Sequence, residues 1–289
     1  MNRDKNNKKK KVAIVTGSSS GIGLETSLLL ARNGFYTYAT TRNLEKSKSI
    51  DNLKQKREKL SLEFLQLDVN NDKSVKKAIQ TIKAEQERID VLVNNAGYAL
   101  VGPLEELSVE EFREQFETNV FGVIRVTQAV LPMMRRQRNG IIVNVSSVAG
   151  KIGFPLTSAY VSSKFALEGL SESMAYEVSQ FGIKVIIIEP GVIKTNFNNN
   201  LKVGKRVTTD SNSPYGEMTQ KRISRFTPRF ESGTPPIEVA KVILNAIMSA
   251  KNQSSELRYL VGNDALKLME IRNNMSDKEF SKIVKKGVL

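Results

Sequence analysis

Two residue types that carry much of enzyme chemistry are absent from this chain of 289 residues, which has no cysteine and no histidine. Without cysteine, disulfides, thiolate metal sites and a cysteine nucleophile are excluded. Without histidine, the usual general base, the usual metal ligand and every Ser-His-Asp arrangement are excluded. Acid–base chemistry near neutral pH must therefore use Tyr, Lys, Asp or Glu. The composition argues against a zinc enzyme, and we predict no metal cofactor.

Long apolar segments are missing as well. No segment approaches the ~18–20 continuous apolar residues that are needed to cross a bilayer. The lysines near the N-terminus are not followed by an apolar signal core. The apolar fraction of 40% suits a soluble globular protein. We therefore expect a cytoplasmic protein without a membrane span.

Negative charge is scarcer than positive charge, since the formal net charge is +14. The first eleven residues contribute +5, from five Lys and one Arg against one Asp, and the rest of the chain contributes +9. A basic tail can contact nucleic acid or anionic lipid, but no aromatic residues interleave with these lysines. We interpret residues 1–10 as a disordered, solubilising tail without specific nucleic-acid binding. The remaining excess is consistent with an anionic cofactor.

Strand-like and helix-like patterns alternate through the chain. Seven short apolar runs predict strands, at residues 12–15, 35–40, 62–67, 89–93, 141–145, 183–188 and 257–261. Helices are predicted from Leu24 to Ala31 and at about 44–59, 72–87, 109–138, 158–180 and 236–250, with Asn119 inside the third of these numbered ranges. This alternation is typical of a doubly wound parallel sheet. We predict an α/β fold: a single Rossmann-type domain at residues 11–262, with about seven strands and helices on both faces.

Two segments do not follow this alternation. Residues 194–236 are rich in Asn, Ser, Thr, Pro and Lys and show little periodicity. Long loops within a compact domain are often lids or binding loops, so we interpret this segment as a substrate lid, with a disordered insertion as the alternative. Residues 263–289 are predicted to form a charged, helical C-terminal extension.

A glycine-rich turn follows the first predicted strand, with the spacing Gly17-x3-Gly21-x-Gly23. Glycines permit a tight turn and a close approach of the backbone to a pyrophosphate, and the following helix N-terminus attracts phosphates. The position within a strand–helix–strand unit favours a dinucleotide site over a purely structural turn. The turn lacks the Gly-Lys-Ser/Thr ending of a phosphate loop, so an NTPase is disfavoured.

The end of the second predicted strand distinguishes between nicotinamide cofactors. An acidic residue there would accept from the ribose hydroxyls of NAD, whereas a basic residue would bind a 2′-phosphate. The chain has Thr40-Thr41-Arg42 and no acid until Glu45. Arg42 can bind a phosphate with two donors, and Thr41 or Ser19 can add a hydroxyl. We therefore predict NADP(H) in preference to NAD(H), with a merely exposed Arg42 as the alternative.

A candidate catalytic group lies between residues 141 and 170. A buried strand delivers Ser147 to its carboxyl end, and Tyr160 and Lys164 lie four apart on one face of the next helix. A nearby lysine ammonium favours the phenolate, so we expect the pKa of Tyr160 to be lowered from about 10 toward neutrality. The chemistry indicated is proton transfer to or from a substrate oxygen that Ser147 also hydrogen-bonds.

Together these motifs resemble the short-chain dehydrogenase/reductase family, over roughly residues 10–200. The resemblance rests on Thr16-Gly17-x3-Gly21-Ile22-Gly23, Asn94-Asn95-Ala96-Gly97, Asn119, Ser147 and Tyr160-x3-Lys164, in that order and at the usual spacings. Residues 65–69, 102–105 and 163–170 resemble the branch that holds steroid and retinol dehydrogenases.

The resemblance implies a role for each matching residue. Tyr160 would be the general acid in reduction and the base in oxidation, while Lys164 would lower its pKa and hold the nicotinamide ribose. Ser147 would orient the substrate carbonyl, and Asn119 would anchor a water in a proton relay to Lys164. The remaining cofactor contacts implied by the family or by the glycine turn would come from Gly17, Ser19, Ser20, Gly21, Ile22, Gly23, Thr41, Arg42, Asp68, Val69, Asn95, Ala96, Gly97, Pro190, Gly191, Val192 and Thr195.

The predicted function is NADPH-dependent interconversion of a carbonyl and an alcohol. The alternatives are NAD(P)-dependent oxidation of a steroid- or retinoid-like alcohol, reduction of a carrier-bound 3-oxoacyl group, and a nucleotide-binding sensor without catalysis. Apolar residues near the expected cleft favour an apolar small-molecule substrate or belong to the core: Leu100, Val101, Phe154 and Leu156. Family resemblance also implies a homodimer or homotetramer through the helices at 109–138 and 158–180.

Overall fold

The computed structural model describes residues 10–45, 60–195, 201–209, 213–252 and 255–285. Apart from Lys10, the basic tail predicted at residues 1–10 lies outside the described residues, and so does nearly all of the helix predicted at about 44–59. None of the described helices is both long and apolar enough to cross a membrane.

A seven-stranded parallel sheet forms the centre of the fold and confirms the predicted α/β architecture. The strands of the described residues are β1 (Lys11–Val15), β2 (Phe35–Thr41), β3 (Leu62–Gln66), β4 (Val91–Asn94), β5 (Leu100–Val101), β6 (Gly140–Val145), β7 (Ile183–Pro190), β8 (Lys202–Val203) and β9 (Arg258–Val261). The sheet order is β3-β2-β1-β4-β6-β7-β9, and all neighbours are parallel. β5 and β8 form a separate parallel pair.

Helices cover both faces of the sheet, as predicted. They are α1 (Gly21–Arg32), α2 (Asp72–Gln86), α3 (Val109–Phe116), α4 (Gly122–Gln137), α5 (Ser158–Ser179), α6 (Lys205–Thr209), α7 (Gly216–Glu231), α8 (Pro236–Lys251), α9 (Asn263–Asn273) and α10 (Asp277–Lys285). α2, α4 and α5 bury side chains such as Ile82 and Met134 against one face. α1 and α8 bury Leu30 and Ile243 against the other. Because both faces are covered, the central strands have continuous apolar sequences.

Adjacent strands β1 and β4 define where a ligand can bind. From β1 the chain continues to β2 and β3 on one side, and from β4 it continues to β6 and β7 on the other. In open parallel sheets, ligands bind at the carboxyl ends of strands where the strand order reverses in this way. The glycine turn directly follows β1, so the fold places it at that point.

The segment at residues 194–236 differs from its prediction as an irregular loop. Its described part contains β8, α6 and the sixteen-residue helix α7. Most of the described side chains of α7 are exposed, and Pro228 lies inside it. The Asn-, Ser-, Thr-, Pro- and Lys-rich composition of the segment favoured a loop, but it does not exclude a helix of this length. The role of this segment as a lid stays a prediction.

The predicted helix at 109–138 is two helices, α3 and α4, joined by a π-helical turn at Glu117–Phe121. Such turns are frequent at functional sites, and this one contains the buried residue Asn119. A π turn needs no glycine or proline, so no residue pattern at this position predicted the interruption. The predicted C-terminal helix is likewise two helices, α9 and α10.

A buried polar network crosses the middle of the sheet. The Asn94 side-chain amide donates to Thr127 Oγ1 at 3.1 Å and to Asn144 Oδ1 at 2.9 Å. Asn144 in turn donates to Ser171 Oγ at 2.8 Å, and Ser171 Oγ donates to the Leu167 carbonyl. Since buried polar groups are stable only when they are hydrogen-bonded, this network fixes how α4 and α5 sit on β4 and β6.

Replacing Asn144 tests the contribution of this network. Asn144→Ala removes the acceptor of Asn94 and the donor of Ser171 in a fully buried site, so we expect a loss of about 1–3 kcal/mol in the free energy of unfolding. Urea unfolding at pH 7 measures it. The control is Asn139→Ala at an exposed position, which should change stability by less than about 0.5 kcal/mol. Equal effects of the two variants would contradict the proposed contribution.

Candidate active site

One large cavity lies along the carboxyl ends of the central strands, with a volume of about 1580 Å³. Sites for one small ligand usually measure ~300–1,000 Å³, so this cavity has room for a dinucleotide and a second molecule. All predicted site residues line it except Gly23 and Asn119. The residues that it brings together are Gly17, Ser19, Ser20, Gly21, Ile22, Thr41, Arg42, Asp68, Val69, Asn95, Ala96, Gly97, Ser147, Tyr160, Lys164, Pro190, Gly191, Val192 and Thr195.

The glycine turn requires glycine for steric reasons. Gly17 and Gly21 have positive φ values of 69° and 58°, which side chains disfavour. A Cβ at Gly17 would lie 2.8 Å from Ala96 Cα. A Cβ at Gly23 would collide with the Gly17 carbonyl, so Gly23 packs behind the turn and does not face the cavity.

Hydrogen bonds join the glycine turn to the segment after β4. Thr16 Oγ1 accepts from the backbone amides of Asn95 and Ala96 at 3.0 and 3.1 Å. The Asn95 side-chain amide donates to the carbonyls of Thr16 and Gly17 at 2.9 and 3.1 Å. The sequence predicted that Asn95 contacts the cofactor, but this positioning role of Thr16 and Asn95 was not predicted. Both residues lie inside the quoted motifs, so the signal was present, but its meaning depends on the tertiary contact.

The residues around this turn fit a dinucleotide phosphate group. No bulky side chain can occupy the tight turn, and α1 begins directly after it at Gly21 with its positive dipole end at the cavity. The exposed guanidinium of Arg42 lines the same cavity beside Thr41 and Ser19. The chemistry of this donor set therefore suits an anionic cofactor.

Ser147 lies where β6 ends, at the start of a short 3-10 turn. Its Oγ accepts from the Ala149 amide at 3.1 Å and lies 3.4 Å from the Pro190 carbonyl, to which it donates. A hydrogen bond also links the Ser147 and Tyr160 side chains. The two hydroxyls that the sequence predicted to act together are therefore adjacent.

The expected pKa of Tyr160 is wrong in direction. Burial raises the pKa of Tyr160 to about 12, and the hydrogen bond with Ser147 opposes this shift only in part. Lys164 Nζ donates to the Val145 carbonyl at 2.9 Å and lies 5.8 Å from the centre of the Tyr160 ring. Burial therefore outweighs the lowering that the spacing of Tyr160 and Lys164 predicts. Tyr160 is therefore a neutral phenol at physiological pH.

Burial also changes the acidity of Lys164. It lowers the pKa of Lys164 to about 8, while the nearby carboxylate of Glu168 acts in the opposite direction. A lysine that titrates close to neutrality can release and recover a proton under ordinary conditions. Lys164 is thus the group in this part of the cavity whose charge changes most readily.

Asn119 lies behind the cavity wall and does not line it. Its side chain accepts from the Tyr98 amide at 3.2 Å and donates to the Tyr98 carbonyl at 3.0 Å and to Ser163 Oγ at 3.1 Å. Ser163 precedes Lys164, so Asn119 ties the π turn to the helix that carries Tyr160 and Lys164. The side chain acts as a structural clamp, while the water-relay role implied by the family stays a prediction.

The end of β7 is held by a residue that sequence reasoning missed. Asp264 Oδ2 accepts from the Val192 amide at 2.7 Å, and a Cβ at Gly191 would collide with the Asp264 carboxylate. Asp264 belongs to α9, which sequence reasoning placed in a C-terminal extension outside the catalytic domain. The charged tail carried no local signal for this contact, since it depends on how α9 folds back.

A buried carboxyl pair lies on the side of Lys164 away from the cavity. Arg258 on β9 contacts Glu168 at 3.0 Å and Glu189 at 3.6 Å, and it donates to the half-exposed Glu172 at 2.7 Å. Burial and then the charge of Glu168 raise the pKa of Glu189 to about 7. The charges of Lys151 and Arg258 oppose this shift. An acidic residue at the end of the apolar run in β7 was the available sequence signal.

The chain belongs to the short-chain dehydrogenase family, whose model, described as short chain dehydrogenase, matches residues 11–206. The protein is therefore an oxidoreductase acting on CH–OH groups, and the predicted family and enzyme class are confirmed.

Curated relatives match most of the chain. A Bacillus subtilis oxidoreductase, YusZ, is 42% identical and the match covers 88% of this chain and 89% of the relative. A 3-ketodihydrosphingosine reductase of Bacteroides thetaiotaomicron is 37% identical, with 83% and 84% covered. Bovine retinol dehydrogenase 8 is 38% identical, with 83% and 79% covered.

Solved structures show the same fold. A short-chain dehydrogenase from Streptomyces avermitilis matches with a TM-score of 0.80 at 33% identity, over 96% of this chain and 97% of that chain. ElxO with NADP bound matches with a TM-score of 0.73 at 32% identity, over 89% and 99%. A Burkholderia phymatum relative in complex with NAD matches with a TM-score of 0.74 at 22% identity, over 86% and 89%.

The pH dependence of stability tests the state of Glu189. Because its folded pKa of about 7 exceeds the unfolded value, ionised Glu189 destabilises the folded chain above pH 7, and this penalty disappears as pH falls toward about 4.5. Glu189→Gln removes this penalty. The difference in the free energy of unfolding between the variant and the native chain should therefore increase in favour of the variant from pH 5 to pH 8, by on the order of 2 kcal/mol. Urea unfolding at both pH values measures this.

Glu172→Gln is the matched control on the same arginine. Hydrogen bonding to Arg258 lowers the pKa of Glu172, and a lowered carboxyl stabilises above its unfolded pKa and loses that effect only at lower pH. Its effect should therefore be nearly constant from pH 5 to pH 8. If the effect of Glu189→Gln on the free energy of unfolding is also constant from pH 5 to pH 8, Glu189 has the pKa of an ordinary carboxyl.

Proposed function

We propose that the protein is an NADP(H)-dependent reductase and dehydrogenase that interconverts a carbonyl and an alcohol, with Tyr160 as general acid and base. The observation that carries this proposal is the adjacency of the Ser147 and Tyr160 hydroxyls in the cavity, with the buried Lys164 one turn along α5. A bound nicotinamide cofactor would supply or accept the hydride. The chain itself must orient the substrate oxygen and move one proton.

The acidity of Tyr160 favours proton donation over proton removal in the resting site. A pKa of about 12 keeps the phenol protonated at neutral pH, which is the form needed when negative charge develops on a carbonyl oxygen. An alkoxide is more basic than a phenolate, so the proton then moves to the substrate. Ser147 shares the hydrogen bond and stabilises the same oxygen. Lys164, with a pKa of about 8, is the nearby group that can return a proton.

The cofactor preference rests on the end of β2. Arg42 lines the cavity, and no described acidic side chain of the strand end occupies the position of the ribose acceptor. The NADP complex of ElxO supports the same preference, whereas the Burkholderia phymatum relative binds NAD. We propose that Arg42 receives the 2′-phosphate, with Thr41 and Ser19 beside it.

The substrate is proposed to be largely apolar. Val101 and Phe154 line the cavity, whereas Leu100 and Leu156 are buried in the core. The relatives named for retinol and 3-ketodihydrosphingosine support a long apolar substrate and keep oxidation of such an alcohol as the second candidate. Phe165 and Tyr176 on α5, 46% and 71% exposed, are consistent with a homodimer or homotetramer, which stays a proposal.

Removing the Tyr160 hydroxyl tests the catalytic assignment. Tyr160→Phe deletes the proton donor, so NADPH oxidation with an apolar ketone should fall by at least ~10²–10⁴-fold. NADPH binding, followed by its fluorescence, should stay near the native value. Tyr176→Phe is the control, since it removes an exposed hydroxyl from the same helix and should leave turnover unchanged. Robust turnover by Tyr160→Phe would refute the assignment.

Truncating Arg42 tests the cofactor preference. A charge-assisted hydrogen bond to phosphate contributes ~1.5–3 kcal/mol, so Arg42→Ala should weaken NADPH binding by about 10- to 150-fold. NADH binding should change little, because NADH has no 2′-phosphate. Dissociation constants for both cofactors, measured by fluorescence, make the comparison. Arg32→Ala at the opposite end of α1 is the control, and equal losses for NADPH and NADH would contradict the phosphate role.

A further inference from the structure

Positive side chains line the cavity where α7 and α9 cover it. The half-buried Arg222 and the exposed Arg229 reach it from α7, and Lys267 reaches it from α9. Arg222 and Arg229 lie on the segment interpreted from the sequence as a substrate lid, and Lys267 lies in the predicted C-terminal extension. The role proposed above for the cavity uses none of them.

Arg222 is close to the candidate catalytic residues. Its guanidinium carbon lies 5.9 Å from the centre of the Phe154 ring. The Phe154 carbonyl accepts from Thr157 Oγ1 at 2.9 Å, and Thr157 immediately precedes the helix that carries Tyr160. Arg222 therefore lies beside the segment that connects Ser147 with Tyr160. Arg42, by contrast, directly follows the carboxyl end of β2.

The two arginines act on each other. Burial, and then the charge of Arg229, lower the pKa of Arg222 to about 10. Both arginines lie on α7 and line the same cavity, and like charges on one wall repel each other. An arrangement of this kind is stabilised when an anion binds between the charges.

The wall formed by α7 and α9 carries more positive than negative side chains. Among the described cavity-lining residues of these two helices, Arg222, Arg229 and Lys267 are positive and Asp264 is negative. The other carboxylates that line the cavity lie elsewhere. Glu110, Glu114 and Glu117, on and after α3, pair with Arg113, Lys202 and Arg125, and Asp68 follows β3. The α7 and α9 wall therefore has a net positive charge.

Apolar side chains surround these charges. Phe154, Val148, Leu268 and Ile271 line the cavity together with the arginines. A ligand that satisfies both features has an apolar body and an anionic end, and its carbonyl must reach Ser147 and Tyr160.

We propose that Arg222 and Arg229 form an anion subsite that selects carbonyl substrates with an apolar chain ending in a carboxylate or a phosphate. The proposal deepens the proposed function, on which its statement about substrates rests, while anion binding itself can be measured without turnover. It also distinguishes this subsite from Arg42, which would receive the phosphate of the cofactor.

A series of keto acids tests the subsite. The probes are 5-oxohexanoate, 7-oxooctanoate, 9-oxodecanoate and 11-oxododecanoate, each compared with its methyl ester, so that chain length and charge vary separately. Calorimetry on the full chain saturated with NADP+ measures binding without reaction, and NADPH oxidation measures turnover. At the length that fits, the native chain should bind the acid at least about tenfold more tightly than the ester.

Variants assign this preference to the arginines. The double variant Arg222→Gln, Arg229→Gln should bind acid and ester equally, with ester binding and NADPH binding unchanged. Arg222→Lys, which keeps the charge, should retain part of the preference. The control is Lys221→Gln on the same helix, since Lys221 is exposed and pairs with Glu217; it should retain the full preference. Decanoate and decyl phosphate as competing ligands show which anion is bound more tightly.

The outcomes separate the two proposals. Tighter binding of an acid that the double variant loses supports the subsite even if no probe is reduced, and absence of reduction of every carbonyl offered would count against the proposed function alone. Equal binding of acid and ester at all four lengths, absence of binding of all probes, or an unchanged preference in the double variant overturns the subsite. Weakened NADPH binding in the double variant would show that the arginines contact the cofactor instead.

Discussion

The hydrogen bonds between Thr16 and the segment after β4 hold the rest of the site in place. The Thr16 amide donates to the Val93 carbonyl at 2.9 Å, while its hydroxyl accepts from Asn95 and Ala96. This contact sets the glycine turn against the neighbouring strand end, where the sheet order reverses. The two segments can approach this closely because Gly17 has no Cβ, which would lie 2.8 Å from Ala96 Cα. The shape of the cavity at the glycine turn therefore depends on backbone geometry. This explains why glycines and one threonine are enough to form it.

The properties of the candidate catalytic residues depend instead on burial. Burial shifts the pKa values of Tyr160 and Lys164 in opposite directions. It raises the pKa of Tyr160 to about 12 and lowers that of Lys164 to about 8, so burial shifts both groups toward their neutral forms. A neutral phenol beside a lysine that titrates close to neutrality is suited to donating a proton and recovering it. The carboxylate of Glu168 raises the Lys164 pKa against this trend. Glu168 also interacts with Arg258 and Glu189, so a second group of titratable residues lies next to Lys164 on the side away from the cavity.

The sequence predicted those parts of the structure that depend on local pattern. The seven strands, the glycine turn and the approach of Ser147 to Tyr160 follow from apolar runs, turn residues and helical spacing. The pKa of Tyr160 could not be predicted from its spacing to Lys164, because burial and the bond from Lys164 to the Val145 carbonyl are tertiary properties. Asp264 was missed because its contact depends on how α9 folds back, and α7 was missed because the composition of its segment favoured a loop.

The distribution of positive charge gives the net charge of +14 a structural meaning beyond solubility. Along the cavity, Arg42 follows β2, Lys164 lies at the centre, and Arg222 and Arg229 lie on the covering helix α7. The proposed function uses the first two positions, for a cofactor phosphate and for proton transfer. A purely apolar substrate would leave the third without a function, although two arginines of α7 line the cavity there. An anionic end on the substrate explains the whole arrangement. It would also fix the orientation of a long flexible chain, whose apolar contacts alone do not determine which carbon faces Tyr160.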